Sequence, residues 1–322
     1  MRVSLEQAIA ELKNGGVVAI PTETVYGLAA DATNDSALEK IFSIKQRPAD
    51  HPLIVHIGEI HQIRHWATTF PETARKLALA FWPGPFTLVL PAQDHVSRVV
   101  RGGESTVALR IPNHPVAREL LLKGDLCVAA PSANLFTQLS PTTPQHVENG
   151  LGHHIPVLDG GACQVGIEST IVSVTADGKW QLLRPGMIGE AEICRVAGAE
   201  HQIKPAEQHQ SQGVPKVPGQ HALHYSPHTP LRLFDNRQAL LSAYAQYAER
   251  KTACAAMLIG GGNVPDCPTT TLPDQPGKAA ELLYASLHDL DDLGAAYLLV
   301  ELPPDSPAWV AVRDRLTRAG AI

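Results

Sequence analysis

Between Gly198 and about Thr229 the chain loses its periodicity. The stretch is polar and rich in Gln, His, Pro and Gly. A structureless segment of that length inside one compact domain is unusual. It therefore divides the 322 residues into two units, each long enough for its own core. The expected organisation is a domain over 1–197, a linker or lid over 198–229, and a smaller domain over 230–322. The linker's end, Val217-Pro218-Gly219-Gln220-His221-Ala222-Leu223-His224-Tyr225-Ser226-Pro227, is more patterned than a spacer needs to be.

In the first unit, Ser4-x-x-Gln7 forms a capping box before the helical stripe Leu5, Ala8, Ile9 and Leu12. Gly15-Gly16 ends that helix. The apolar run Val17–Ile20 predicts a strand, followed by the polar loop Pro21-Thr22-Glu23-Thr24. Asn34, Asp35 or Ser36 can cap a helix to about Ile44. Strands are expected over Leu53–Ile57, Thr87–Leu90, Thr106–Arg110, Cys127–Ala130, Pro156–Leu158, Ser169–Val174 and Trp180–Leu183. Helices are expected over Pro71–Phe81, Pro115 to about Leu122, from Thr143-Pro144, and about Glu190 to Ala197. In the second unit, strands at Leu231–Phe234, Ala255–Ile259 and Tyr297–Val300 alternate with helices at Gln238–Arg250, Lys278–Leu290 and Trp309–Ala319. That alternation predicts a three-layer α/β unit with a mostly parallel sheet.

Several function classes fall away. No apolar run approaches the roughly 20 residues a membrane helix needs. The N-terminus shows no apolar signal core, so a cytoplasmic home is expected. Five scattered cysteines without a CxxC pair read as buried small residues in a reducing compartment. A net charge of −6 argues against binding nucleic acid mainly through its phosphates.

The candidate chemistry lies just beyond strand ends, where open α/β sheets bind ligands. Thr22, Thr24, Ser132, Ser140, Ser169 and Thr170 supply hydroxyls in loops. Arg47, Arg110 and Arg184 follow helices or strands and can grip a carboxylate or phosphate in two-pronged fashion. Lys45 has two readings: a cation favoured at a helix C-terminus, or a mobile charge on the same anion. Together these residues describe a site for a strongly anionic ligand, a nucleotide for choice, beside a small polar one. Neither GxxxxGK[ST] nor a GxGxxG after a strand is present, so phosphates must be held by loops, helix starts and arginines. Ser132 has no nucleophile elbow. His153-His154 and His221 with His224 read as exposed loop histidines. Glu23 and Glu168 could act as acid and base, although nothing in their spacing shows it.

Pro21-Thr22-Glu23-Thr24-Val25-Tyr26-Gly27-Leu28, Lys45-x-Arg47-Pro48, Pro52-Leu53-Ile54-Val55-His56, Arg110-x-Pro112-x-His114-Pro115, Pro131-Ser132-Ala133-Asn134, Glu168-Ser169-Thr170 and Arg184-Pro185-Gly186 occur in that order. This pattern resembles the YrdC-like family over about Leu5 to Ala197. With the His224-Tyr225-Ser226-Pro227 linker and the following α/β unit, the chain resembles the two-domain L-threonylcarbamoyladenylate synthases. The resemblance implies a YrdC-like mixed-sheet domain with an active-site cleft, a long linker, and a Rossmann-like C-terminal domain. It implies that L-threonine, bicarbonate and ATP yield L-threonylcarbamoyladenylate and pyrophosphate. The product would serve tRNA modification beside the anticodon, with other proteins carrying out the transfer and with possible contact to them or to tRNA. Magnesium is expected on the ATP phosphates, with no metal ligand from the protein.

Carried over by position, Thr24, His56, Arg110 and Ser169 would surround threonine. Arg47, His51, Thr106, Ser132, Asn134, Ser140 and Arg184 would line ATP, with Tyr225 closing over it. Lys45, Arg47 and Arg110 would carry the catalytic charge. His51 departs from the asparagine usual before Pro-Leu, and Phe136-Thr137 and Val217 depart from a Ser-Gly and a serine. An O-carbamoyltransferase of the hydrogenase-maturation kind shares the fold, but its CxxC motifs are missing here.

Overall fold

The computed structural model describes residues 1–203, 215–219 and 224–321. Of the expected linker, 204–214 and 220–223 lie outside the described residues, His221 among them.

The first unit opens with β1 (Arg2–Val3), α1 (Leu5–Lys13), β2 (Val18–Ile20), β3 (Gly27–Asp31), α2 (Asp35–Lys45) and β4 (Ile54–His56). It continues with α3 (Ile63–Trp66), α4 (Glu72–Phe81), β5 (Phe86–Pro91), α5 (Arg98–Arg101), β6 (Thr106–Arg110), α6 (Pro115–Gly124) and β7 (Val128–Ala129). It ends with α7 (Pro144–Leu151), β8 (Val157–Leu158), β9 (Thr170–Val174), β10 (Trp180–Arg184) and α8 (Glu190–Ala197). The strands form a ten-stranded mixed sheet in the order β1-β8-β2-β3-β7-β4-β6-β5-β9-β10.

Helices cover both faces of this sheet, so strand side chains alternate between two cores. Val18 and Ile20 of β2 join Ala8 and Leu12 of α1 and Leu120 and Leu121 of α6. Ala19, between them, faces the other core with Leu38 and Ile41 of α2 and Leu77 and Phe81 of α4. The helix starts are where their capping residues put them. Ser4 and Gln7 make the reciprocal box, and the side chains of Asn34 and Thr143 accept from Ala37 N and His146 N.

Strand β3 has no counterpart among the expected elements. Gly-Leu-Ala-Ala-Asp contains no β-branched residue and has weak strand preference. It is a strand because β2 and β7 flank it on both sides.

The second unit comprises β11 (Leu231–Phe234), α9 (Arg237–Glu249), β12 (Cys254–Ile259), β13 (Thr269–Leu272), α10 (Pro276–Asp291), β14 (Tyr297–Glu301) and α11 (Val310–Ala319). Its sheet is wholly parallel, β11-β14-β12-β13. The expected three strands become four, because the polar Thr269–Leu272 adds an edge. Leu240 of α9 packs with Ala256, Leu258 and Leu299 on one face. Leu283 and Leu287 of α10 and Val312 and Leu316 of α11 pack on the other.

This last cluster does not stop at the second unit. Val25, Leu139 and Ile167 of the first unit and Tyr225 of the linker belong to it. Contact is close at Gly166, where φ is +78° and a Cβ would stand 2.4 Å from Ala280 O on α10. Any side chain at Gly166 would push the second unit off the first unit's loops.

Candidate active site

Strand ends and strand-following loops of the first unit converge on one cleft. Thr22, Thr24 and Gly27 enter it from the β2–β3 region, and Arg47 from the turn after α2. His56 ends β4, Arg110 ends β6, and Ser132 follows β7. Glu168 and Ser169 precede β9, and Arg184 ends β10. Pro218, Gly219, His224 and Tyr225 of the linker complete the lining.

Arg47 is aimed by backbone geometry. Gln46 adopts the left-handed conformation (φ 52°) at the C-cap of α2, and Arg47 N closes back on Phe42 O at 3.0 Å. The guanidinium is buried, donates from NH2 to Pro52 O at 3.1 Å, and leaves Nε without a partner among the described residues. Burial pulls its pKa down to about 10, so it remains cationic at neutral pH.

Arg110 is held on three sides. It donates from Nε to Gly84 O (3.2 Å), from NH1 to Thr24 Oγ1 (2.9 Å) and from NH2 to Glu23 Oε1 (2.7 Å). The second oxygen of Glu23 accepts from Asn113 N at 2.9 Å. A guanidinium has five N–H donors, so donors remain for a ligand. Thr22 Oγ1 donates to Val25 O and takes Thr24 N and Val25 N, which folds the loop so that Thr24 meets Arg110. His56 is 2% exposed. Burial, then the neighbouring Arg110, lowers its pKa to about 3, so it presents a neutral imidazole.

Arg184 spans the other wall. It donates to Ser169 O (3.1 Å) and Ser169 Oγ (3.1 Å), and from NH1 to Pro218 O (3.0 Å). Ser169 Oγ also lies 2.8 Å from Thr87 Oγ1. Over the opening, Gly219 (φ +85°) passes so close to Tyr225 that a Cβ would stand 2.2 Å from its hydroxyl oxygen. Tyr225 Oη and His224 Nδ1 are buried without a partner among the described residues, and buried polar groups ordinarily have one.

A profile described as "Telomere recombination" matches residues 10–186, and one described as "Threonylcarbamoyl-AMP synthase, C-terminal domain" matches 188–321. Threonylcarbamoyl-AMP synthase of Pyrococcus abyssi is 37% identical over 316 residues, covering 96% of this chain and 91% of that one. The Bacillus subtilis protein of the same name is 38% identical over 331 residues, covering 98% and 92%. The chain belongs to the threonylcarbamoyl-AMP synthase family. The crystal structure of P. abyssi Sua5 complexed with L-threonine superposes with a TM-score of 0.89 at 34% identity, covering 99% of this chain and 97% of that one. The two-domain α/β architecture is therefore that of a solved threonylcarbamoyl-AMP synthase family member.

The structure brings together Thr24, Arg47, His56, Arg110, Ser132, Ser169, Arg184 and Tyr225. The other candidates of this family pattern sit elsewhere. Lys45 is 1% exposed, and its Nζ donates to Ser132 O at 2.6 Å and to Asn134 O. Here it braces the Ser132–Asn134 loop and does not line the cleft. Asn134 turns its amide to Leu135 O and Gln138 O. Ser140 is buried behind the wall and donates to Glu168 at 2.6 Å. Thr106 starts β6, roughly 13 Å along the strand from Arg110 at the usual rise. His51 lines an adjoining cavity with Arg47, Phe136 and the Lys216–Gly219 segment.

Two further expectations change. Glu23 and Glu168 are not a free acid–base couple, because Arg110 and Arg315 engage them at 2.7 Å each. His224 is not an exposed loop histidine. It is 6% exposed, packed against Tyr225 with ring centroids 4.1 Å apart, and burial lowers its pKa to about 3. Sequence reasoning also left out Arg315, which had a readable signal: it interrupts the helical stripe Ala311, Val312, Leu316, Ala319.

Proposed function

We propose that this cleft binds ATP and L-threonine side by side and joins them through bicarbonate, forming L-threonylcarbamoyladenylate and releasing pyrophosphate. The carrying observation is the convergence of Arg47, Arg110 and Arg184 on one cleft ringed by hydroxyls. The relatives named for this reaction cover nearly the whole chain, and the solved relative is described with L-threonine bound.

Arg110 with Thr24 suits the amino acid's carboxylate, and Arg47 and Arg184 suit the phosphates. The threonine amine forms a carbamate with carbon dioxide derived from bicarbonate and gives its proton to solvent. A carbamate oxygen attacks the α-phosphorus, and the bond to the β-phosphate oxygen breaks. No protein nucleophile is required. The enzyme's share is to hold the reactants in line and to stabilise the charge spreading over the phosphates. Neutral His56 beside Arg110 fits a site that must receive a nucleophile without protonating it.

Magnesium would be held by the phosphates and water and would neutralise phosphate charge. Glu168 in the lining and Glu23 behind Arg110 are already paired with arginines, so a phosphate-held ion suits the residues present. The product is a mixed anhydride, reactive enough to feed a transfer step onto tRNA adenosine by other proteins.

With the linker in place the cleft encloses about 50 Å³, whereas ligand sites usually offer about 300–1,000 Å³. The adjoining cavity of about 280 Å³ shares Arg47, Pro218, Gly219 and His224 with it. The Pro218–Gly219 segment is the partition, and nucleotide entry requires it to move. The deciding measurement is pyrophosphate release with ATP, threonine, bicarbonate and Mg²⁺ each omitted in turn. All four omissions should abolish release; release that ignores threonine would sink the assignment.

A further inference from the structure

The cleft carboxylate Glu168 is held from outside the first unit. Its Oε2 accepts from Arg315 Nε at 2.7 Å and from the Tyr284 hydroxyl at 3.0 Å. Its Oε1 accepts from Ser140 Oγ at 2.6 Å. Arg315 lies on α11 and Tyr284 on α10, both in the second unit and both buried. The same guanidinium donates from NH2 to Pro185 O (3.1 Å) and Glu168 O (3.4 Å), and sits 5.1 Å from the centroid of the Tyr225 ring. Arg315 itself is absent from the cleft lining.

The places it grips are telling. Glu168 immediately precedes Ser169, and Pro185 immediately follows Arg184. Ser169 and Arg184 bond to each other in the cleft wall. One buried cation thus fixes both strand-end segments that deliver this pair, together with the aromatic ring covering them. A junction needing only cohesion has its apolar contacts already, in Val25, Leu139, Ile167 and Leu283. A buried ion pair adds little stability over an apolar filling, and its attested use is to fix one arrangement among several.

We infer that Arg315 and Tyr284 are positioning residues of the active site, so that the second domain sets the geometry of Glu168, Ser169, Arg184 and Tyr225. The inference rests on the synthase reading of the cleft given above. It gives the second domain a part in the site alongside Ser140 of the first unit, which holds the other oxygen of Glu168.

The charge arrangement offers a readout. Glu168 faces Arg315 with its neighbour Asp314 from α11, Tyr284 from α10, Arg184 from β10, and His224 and Tyr225 from the linker. Burial pushes its carboxyl up, but Arg315 and Arg184 outweigh burial and hold it at about 2. Without the Arg315 charge, burial is opposed by Arg184 and Ser140 alone, and the carboxyl pKa rises.

The test uses the full chain and three variants, Arg315→Gln, Arg315→Lys and Tyr284→Phe, each with thermal melting. Threonine-dependent pyrophosphate release is followed from pH 5.5 to 9, and the glutamate carboxyls are titrated by carbon-13 NMR with Glu168→Gln to assign the signal. Arg315→Gln should lower kcat by about tenfold or more, the scale of one charged hydrogen bond. It should also add an acid limb that Arg315→Lys largely removes. If Arg315→Gln fails to fold, Tyr284→Phe carries the test: melting near the native value with kcat reduced about threefold to tenfold, the scale of one neutral bond. Lower melting temperatures with native kcat and native pH profile would overturn the inference. The carboxyl titration does not depend on the reaction. If the native protein releases no threonine-dependent pyrophosphate while Glu168 titrates as described, the functional reading fails and the clamp on Glu168 stands.

Discussion

Arg110–Glu23 and Arg315–Glu168 are both buried ion pairs with an N–O separation of 2.7 Å. In the first, both partners come from one domain, and the cation lines the cleft. Its carboxylate turns away to hold the guanidinium and cap Asn113 N. In the second, the partners come from different domains. The carboxylate lines the cleft and the cation stands behind it. The same chemical pair thus serves once to present a charge to a ligand and once to fix the wall around it. What distinguishes the roles is which member reaches the cleft, not distance or burial.

Each pair also keeps company with a buried histidine held neutral, His56 beside Arg110 and His224 beside Glu168. Both have folded pKa values lowered to about 3, against about 6.5 in the unfolded chain. For a depressed pKa, stability is fully present above the unfolded value and is lost as pH falls towards the folded one. Stability should therefore fall from pH 6.5 downward, by up to about 1.4 kcal/mol per pH unit for each histidine. Urea unfolding at pH 7.5, 6.5 and 5.5 checks this, and His56→Asn and His224→Asn should each flatten the slope. A flat native profile would break the parallel between the two regions.

A kinetic asymmetry should follow next in size. Arg110→Ala removes the presented cation, and the threonine KM should rise on the order of 10- to 100-fold, the worth of one or two charged hydrogen bonds. The ATP KM should change far less. Equal loss for both substrates would remove Arg110 from the carboxylate and undo the contrast with Arg315.

The smallest effect is expected far from both pairs. Ser4→Ala removes the capping hydroxyl of α1 and should cost about 1 kcal/mol of stability. Native kinetics in that variant would show that losses at the two pairs are not a general response to a weakened fold.

Much of this architecture can be read locally, because caps and alternation are local. Ser4 with Gln7, Asn34 and Thr143 mark helix starts by the groups they satisfy. The second unit's βαβ alternation leaves few options besides a parallel sheet. Where pairing alone makes the structure, sequence falls silent: β3 is a strand through its neighbours, and β13 through β12. The site divides the same way. Arginines and hydroxyls after strands announce a cleft, yet nothing local tells whether a cation faces the ligand or the protein. Lys45 sits between Lys-x-Arg and a helix end, and only the fold shows its amine turned to two backbone carbonyls. Glu168 and Arg315 are 147 residues apart, and their meeting depends on how one domain docks on another.

Gly219 carries a consequence for handling the protein. Its positive φ and its 2.2 Å approach to the Tyr225 hydroxyl leave no room for even one methyl group. Gly219→Ala is therefore a wedge: the partition and the ring beneath it cannot occupy their present places together. With Arg184 and Ser169 left unaltered, a single carbon atom should yield a protein trapped with its entrance ajar, suited to trapping ligands that the closed arrangement would exclude or conceal.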